Sequence, residues 1–157
     1  MVLPFECREV VILEGMTHSR RDLAVLLPAL FAARAEGQSK ILPSQCYVFD
    51  QLPVKTNTKN HNETRQVFNG ETHDGYPVDL HVTRLMPGQM PHPAHHHAHE
   101  EMMFVQGGTV EATINGKSTK VGPGGVVYVK SMDEHGLKNA GDGPAEYFVF
   151  AIGNMKA

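Results

Sequence analysis

Residues 95–101 read His95-His96-His97-Ala98-His99-Glu100-Glu101, a dense cluster of imidazoles and carboxylates. Within this run, the positions of His95, His97 and Glu101 differ by even numbers. Side chains at even offsets along an extended strand point to the same face, so we expect these three to converge. His135 lies much further along the chain and can supply a fourth ligand from a separate segment. The run therefore predicts a metal cage of three imidazoles and one carboxylate.

The composition is typical of one globular domain. The chain has 157 residues, of which 41% are hydrophobic and 20% charged, and a core of this size needs no disulfide. The 14 basic and 17 acidic side chains give a net charge of −3, without the basic run that a nucleic-acid-binding surface needs. Cys7 and Cys46 have no metal-ligand spacing. We therefore expect no nucleic-acid partner and look for the chemistry among the histidines.

Beyond residue 45, turn residues separate short runs of β-branched and aromatic residues. Asn115-Gly116 predicts a type I′ hairpin, because both central residues of that turn need a positive φ. No helical period of useful length appears after Ala35. The expected strands are Gln45–Phe49, Arg65–Gly70, Val78–Met86, Glu101–Gln106, Thr109–Ile114, Lys117–Val121, Val126–Lys130 and Glu146–Ile152. This pattern predicts an all-β fold, and a jelly-roll barrel (a double-stranded β-helix) in a single domain satisfies the number of strands.

The N-terminal region contains the three parts of an export signal. Ser19-Arg20-Arg21 precedes the apolar stretch Leu23–Ala33, and Ala33-x-Ala35 offers a cleavage site. The paired arginines resemble the twin-arginine type of signal. The apolar stretch is too short to remain in a bilayer as a stable anchor.

We therefore expect residues 1–35 to be an export signal, with a possible N-terminal extension before Met16, and residues 36–157 to be the folded domain. The expected location is periplasmic or secreted. The alternative is an amphipathic helix packed on the domain of a cytoplasmic protein.

Two motifs around the histidine run resemble those of the cupin family, in its small, single-domain cupin-2 form. The first is Gly88 followed by His95-x-His97-x3-Glu101-x6-Gly108. The second runs from Gly124-x5-Lys130 through His135-x3-Asn139. Together the motifs cover residues 88–139, and the flanking strands extend the similarity over about residues 45–152.

The sequence departs from the family pattern at three places. One extra residue separates Gly88 from His95, and Lys130 and Met132 stand where the second motif usually has Pro and Gly. These departures alter turns rather than ligands, so all four metal ligands of the family have a counterpart here.

The resemblance implies one divalent transition metal held by His95, His97, Glu101 and His135. Imidazole and carboxylate ligands suit Fe, Mn, Ni, Cu or Zn and leave the identity of the metal open. The resemblance also implies a small-molecule ligand or substrate and a homodimer.

Six further side chains surround the expected cage. His92, His96 and His99 are expected in loops or on outward faces, although one of them could orient a ligand or act as a base, and we place His99 nearest to the ligands. Three apolar residues lie two or four positions after Glu101 or His135, so they are expected on the same inner face as these ligands. They are expected to fill the core or form the apolar wall of a pocket: Met103, Val105 and Leu137. Three histidines outside the run show no useful spacing and are expected to be structural or at the surface: His61, His73 and His81.

The expected function is that of a metal-dependent enzyme acting on a small oxygenated substrate. A dioxygenase is the first hypothesis, and an isomerase or a lyase are the others, because all three occur among cupins. No catalytic residue can be named from the sequence. The alternative is a non-catalytic module that binds a small ligand, as a sensor or in storage.

Overall fold

The computed structural model describes residues 41–155, and the regular structure there is almost entirely β. A single 3-10 turn at Phe49–Gln51 precedes the strands. In chain order the strands are β1 Val54–Thr56, β2 Glu63–Glu71, β3 Pro77–Leu85, β4 Glu100–Gly107, β5 Val110–Ile114, β6 Lys117–Val121, β7 Val126–Val129, β8 His135–Asn139 and β9 Ala145–Ile152. The expected export signal, residues 1–35, lies outside the described residues.

The strands form two antiparallel sheets. One has six strands in the order β1-β2-β3-β9-β4-β7, and the other has three in the order β6-β5-β8. Side chains alternate along each strand, so β9 buries Ala145, Tyr147, Val149 and Ala151 on its inner face. The first three pack with apolar side chains of both sheets, including Val110, into one hydrophobic core. The all-β jelly-roll prediction is confirmed.

The hairpin between β5 and β6 forms where the sequence predicts it. Asn115 and Gly116 have φ angles of 48° and 77°, the positive values that a type I′ turn requires. β5 and β6 pair in register on both sides of this turn, with Ile114 opposite Lys117. A two-residue turn sets the local backbone by itself, so this feature did not depend on distant contacts.

The prediction of a strand at Gln45–Phe49 is wrong. The segment forms no strand, because its side chains pack on the outside of β2 instead of extending a sheet. The ring of Tyr47 lies 5.7 Å from that of Phe68, and the guanidinium of Arg65 lies 4.7 Å from the centre of the Phe49 ring.

Two strands were not expected from the sequence. β1 is three residues long and all three of its residues are exposed, so buried and exposed side chains do not alternate along it. β8 contains histidine, glycine and asparagine, which have weak strand propensity, and it forms by pairing with β5. In the described part of the chain, no helix is long and apolar enough to cross a membrane.

Candidate metal centre

The histidine run lies just before β4 rather than on it. Only Glu100 and Glu101 belong to the strand, whereas His97 lies in an irregular segment and His95 forms an isolated bridge with His135. The expectation that His95, His97 and Glu101 share one extended strand is therefore wrong for the two histidines. Their convergence with Glu101 has another cause.

Backbone hydrogen bonds tie the histidine run to the segment that enters β8. The N–H of His95 donates to the carbonyl of His135 over 3.0 Å, and the N–H of His135 donates back to the carbonyl of His95 over 2.8 Å. The N–H of Met132 donates to the carbonyl of His97 over 2.8 Å. Two segments distant in sequence are thereby held side by side, with their imidazoles turned to one place.

The structure brings the three expected imidazoles together and places Glu101 beside two of them. One ring nitrogen from each of His95, His97 and His135 lies within 4.8 Å of the others. The Glu101 carboxylate lies beside two of them, with Oε1 3.3 Å from Nε2 of His97 and Oε2 3.4 Å from Nε2 of His135. Three imidazoles and a carboxylate thus converge from β4, β8 and the segment before β4.

Hydrogen bonds to carbonyls orient two of these imidazoles. Nδ1–H of His97 donates to the carbonyl of His99 over 2.9 Å, and Nδ1–H of His135 donates to the carbonyl of Asp133 over 3.0 Å. A carbonyl oxygen only accepts, so Nδ1 carries the proton and Nε2 of the neutral ring presents a lone pair. This second hydrogen bond is the usual device that fixes a metal-binding histidine.

The donor set has the chemistry of a metal site. Nδ1 of His95, Nε2 of His97 and Nε2 of His135 are buried without a hydrogen-bond partner. A buried polar atom without a partner costs about 1–3 kcal/mol, so three of them in one place are expensive unless a bound group satisfies them. A cation bound by their lone pairs and by Glu101 would do so.

The electrostatics keep these groups in forms that bind a cation. Burial alone would raise the pKa of Glu101, but the contacts of its carboxylate with the imidazoles of His135, His97 and His99 lower it to about 2. Burial lowers the pKa of His95 and of His97, which favours their neutral form. The Glu101 carboxylate beside Nε2 raises the pKa of His135, so a proton competes with a metal there.

The other histidines of the run have different surroundings. His96 is exposed. His92 is also exposed, and its ring meets that of His95 edge to face with centroids 4.2 Å apart. His99 contacts the site itself, because its Nε2 lies 3.2 Å from Oε1 of Glu101 and its ring stacks on that of His97.

A cavity of about 240 Å³ opens beside the ligands, on the inner side of the sheets. Met103 and Leu137 line it and also belong to the core, whereas Val105 is a core residue only. The polar or ionisable residues that line it are Thr64, His81, Thr83, His92, Glu101, His135 and Tyr147.

His81 in this cavity was expected to be structural or at the surface. The available signal was Asp79-Leu80-His81, in which an aspartate and a histidine two residues apart share one face of a strand. The sequence alone does not show which face of β3 is the inner one.

Comparison with known proteins extends these observations. Residues 81–151 match the family model of the cupin domain, Cupin_2. No curated protein matches the chain. A cupin-2 domain protein from Rhodospirillum rubrum is a similar solved structure, with a TM-score of 0.60 and 14% identity over 74% of this chain and 79% of the other.

Two further similar structures carry names of enzymes. A sugar phosphate isomerase of the cupin superfamily from Silicibacter pomeroyi has a TM-score of 0.58 and 15% identity, over 71% of this chain and 76% of the other. A predicted oxalate decarboxylase from Thermotoga maritima has a TM-score of 0.58 and 17% identity, over 70% of this chain and all of the other (100%). At these identities the likeness shows the fold alone. With the family match and the two motifs around the ligands, residues 81–151 are a cupin domain of the Cupin_2 type.

Proposed function

We propose that this protein is a metal-dependent enzyme that acts on a small oxygenated substrate, with one divalent transition metal held by His95, His97, Glu101 and His135. The observation that carries the proposal is the convergence of three buried ring nitrogens without partners beside an ionised carboxylate. A divalent metal there would polarise a substrate carbonyl or activate O2.

The residues of the chain set the charge and size of the site. Three neutral imidazoles and one carboxylate would leave a divalent ion with one net positive charge, which favours oxygen-rich or singly anionic ligands. The cavity of about 240 Å³ is smaller than the roughly 300–1,000 Å³ of drug-sized pockets. Among the described residues, no lysine or arginine lines it, so nothing there would anchor a phosphate or a second carboxylate.

Three reaction classes agree with this site: dioxygenase, isomerase and lyase. The similar structures named as an isomerase and as a predicted decarboxylase support the second and the third for this chain. The test is a screen of untagged protein loaded in turn with Fe²⁺, Mn²⁺, Ni²⁺ and Zn²⁺, offered diols, catechols, thiols and keto acids. O2 uptake or product formation is expected with at least one metal, and neither with any metal would favour a non-catalytic ligand-binding module.

We also propose that the protein is a homodimer. Support comes from apolar side chains left exposed on the outer face of β4 and β7, where Phe104 lies opposite Val126 and Tyr128 follows two residues later. Light scattering of the purified protein is expected to give twice the mass of the chain, and a monomer mass would contradict the proposal.

Export through residues 1–35 is a further proposal, and it rests on the sequence only. N-terminal sequencing of the mature protein is expected to begin after Ala35. A mature start at Met1 or Met16 would contradict it.

A further inference from the structure

We propose that His81 is the base that removes a proton from a small hydroxyketone in this cavity, and that Asp79 positions it. The inference rests on the proposed function and narrows it to an isomerase or lyase reaction. The substrate class is a small uncharged molecule in which a carbonyl carbon is bonded to a carbon that carries both a hydroxyl group and a hydrogen.

The contact between His81 and Asp79 determines which ring nitrogen can act. Nδ1 of His81 lies 2.8 Å from Oδ1 of Asp79. Burial raises the pKa of Asp79, but hydrogen bonds with His81, Asn69 and Gln66 lower it below its ordinary value, so the carboxylate is ionised and only accepts. Nδ1 therefore carries a proton, and whenever the ring holds only this one proton, Nε2 has the lone pair. Within residues 41–155, Nε2 of His81 has no hydrogen-bond partner.

Asp79 is itself held in place from β2. Nε2 of Gln66 and Nδ2 of Asn69 both donate to Oδ2 of Asp79, each over 2.8 Å. A β-bulge between Gln66 and Phe68 interrupts the pairing of β2 with β3 next to these contacts. Bulges often re-aim side chains beside active sites, and here the amide of Gln66 meets the carboxylate. Such support is typical of a residue that orients a reacting group.

His81 faces the candidate metal centre across the cavity. His81 and Glu101 both line the cavity of about 240 Å³. In the sheet, His81 pairs with Val149 of β9, and Val149 pairs with Met103 of β4, two residues after Glu101. Two strand spacings put β3 and β4 about 10 Å apart. β9 lies between these two strands, and the cavity of about 240 Å³ that His81 and Glu101 share has room for a molecule of a few heavy atoms.

The proton transfer is balanced without a further reactant. Nε2 of His81 takes the proton from the carbon beside the carbonyl, the C–H electron pair forms a C=C bond, and the carbonyl π electrons move to the oxygen. Return of the proton to the neighbouring carbon, with transfer of the hydroxyl proton between the two oxygens, completes an isomerisation. No oxidant or reductant is consumed. The hydroxyl of Thr64, which also lines the cavity, is available to hydrogen-bond a substrate oxygen.

The test measures exchange of carbon-bound hydrogen for deuterium. Untagged protein loaded with Zn²⁺ or Mn²⁺ is incubated with hydroxyacetone or dihydroxyacetone in D2O, the protein is filtered off, and the C–H signals are integrated by proton NMR. Wild type is compared with His81→Gln and with the matched control His73→Gln, whose side chain is exposed away from the cavity. Bound metal per chain and the melting temperature are measured for each protein.

His81→Gln is expected to lower the exchange rate at least 100-fold while it keeps the metal content and fold of wild type, and His73→Gln is expected to leave all three unchanged. Exchange by His81→Gln at the wild-type rate, or no exchange by fully metal-loaded wild type, would overturn the role of His81 and leave the metal site standing. Wild type without bound metal would overturn the proposed function, and the inference with it.

The Asp79→Asn variant tests whether Asp79 positions the ring of His81 or only stabilises the fold. Nitrogen-detected NMR of the histidine side chains reports which ring nitrogen carries the proton, with or without metal. Wild-type His81 is expected as the Nδ1–H form, and Asp79→Asn is expected to mix the two forms and to slow exchange about 10-fold. A wild-type His81 in the Nε2–H form would overturn the proposal, because its lone pair would then face Asp79.

Discussion

The imidazole rings of His97 and His99 stack face to face, with centroids 3.5 Å apart and 8° between their planes. The carbonyl of His99 accepts the Nδ1–H of His97, and the ring of His99 reaches Oε1 of Glu101. One residue therefore steadies two of the expected ligands.

His99→Ala is expected to weaken metal affinity about 10-fold without abolishing binding. The variant loses the ring that stacks on His97 and contacts Glu101, but it keeps the backbone carbonyl that orients His97. Titration calorimetry with Zn²⁺ measures the effect, and His96→Ala, which alters an exposed neighbour, is the matched control. Equal affinities for the two variants would show that His99 does not support the site.

The sequence predicted features that depend on local structure better than those that depend on distant contacts. The turn at Asn115-Gly116 formed as expected because its two residues set their own φ angles. The segment Gln45–Phe49 did not form a strand because packing against β2 overrode its propensity.

The candidate metal centre also combines features that the local sequence predicts with features that distant contacts determine. Spacing and family resemblance singled out His95, His97 and His135, which lie close together in the structure. The cause assigned to their convergence was wrong, since the bridge between His95 and His135 aligns two distant segments. The pair of Asp79 and His81 was missed because the sequence does not show which face of β3 is the inner one, nor the bulge in β2 that brings Gln66 to Asp79.

Asn139→Ala is expected to destabilise the metal-free protein by about 2–3 kcal/mol. Asn139 is 1% exposed, and its amide donates to the carbonyls of Leu85 and Gly143 and accepts from the N–H of Gly141. Removal of the amide leaves the buried carbonyl of Leu85 without this partner and breaks two half-buried hydrogen bonds to the backbone. Urea unfolding measures the loss, and the exposed neighbour Lys138→Ala is expected to change it by less than about 0.5 kcal/mol. A loss for Asn139→Ala as small as this control would contradict the structural role.

Met132→Gly is expected to stabilise the protein by about 0.5–1 kcal/mol. Met132 has a φ of 68° and is 59% exposed, so it bears a strained backbone and few contacts, at the position where related motifs usually have glycine. Met90 is also exposed but does not have a positive φ, and Met90→Gly is expected to lower stability by a similar amount. Thermal unfolding compares the two, and a lower melting temperature for Met132→Gly would contradict the prediction.

Asp79→Asn is expected to destabilise the protein by about 1 kcal/mol at pH 7 and by progressively less in acid. The pKa of Asp79 is lower in the folded chain than in the unfolded one. Its ionised form therefore adds stability above the unfolded value of about 3.9, and this contribution disappears as the pH falls through the lower folded value. Urea unfolding of wild type and Asp79→Asn between pH 7 and pH 3 tests whether their difference in stability decreases in acid. A difference that grows in acid would be inconsistent with it.

The most direct test of the metal centre is the metal content of untagged protein with single-histidine substitutions. His97 supplies a buried Nε2 without a partner, whereas His96, next to it in sequence, is exposed. After equilibration with Zn²⁺ and removal of unbound metal, elemental analysis is expected to find one ion per chain in wild type and in His96→Ala, and little in His97→Ala. Equal metal content in the two variants would contradict the assignment of the site.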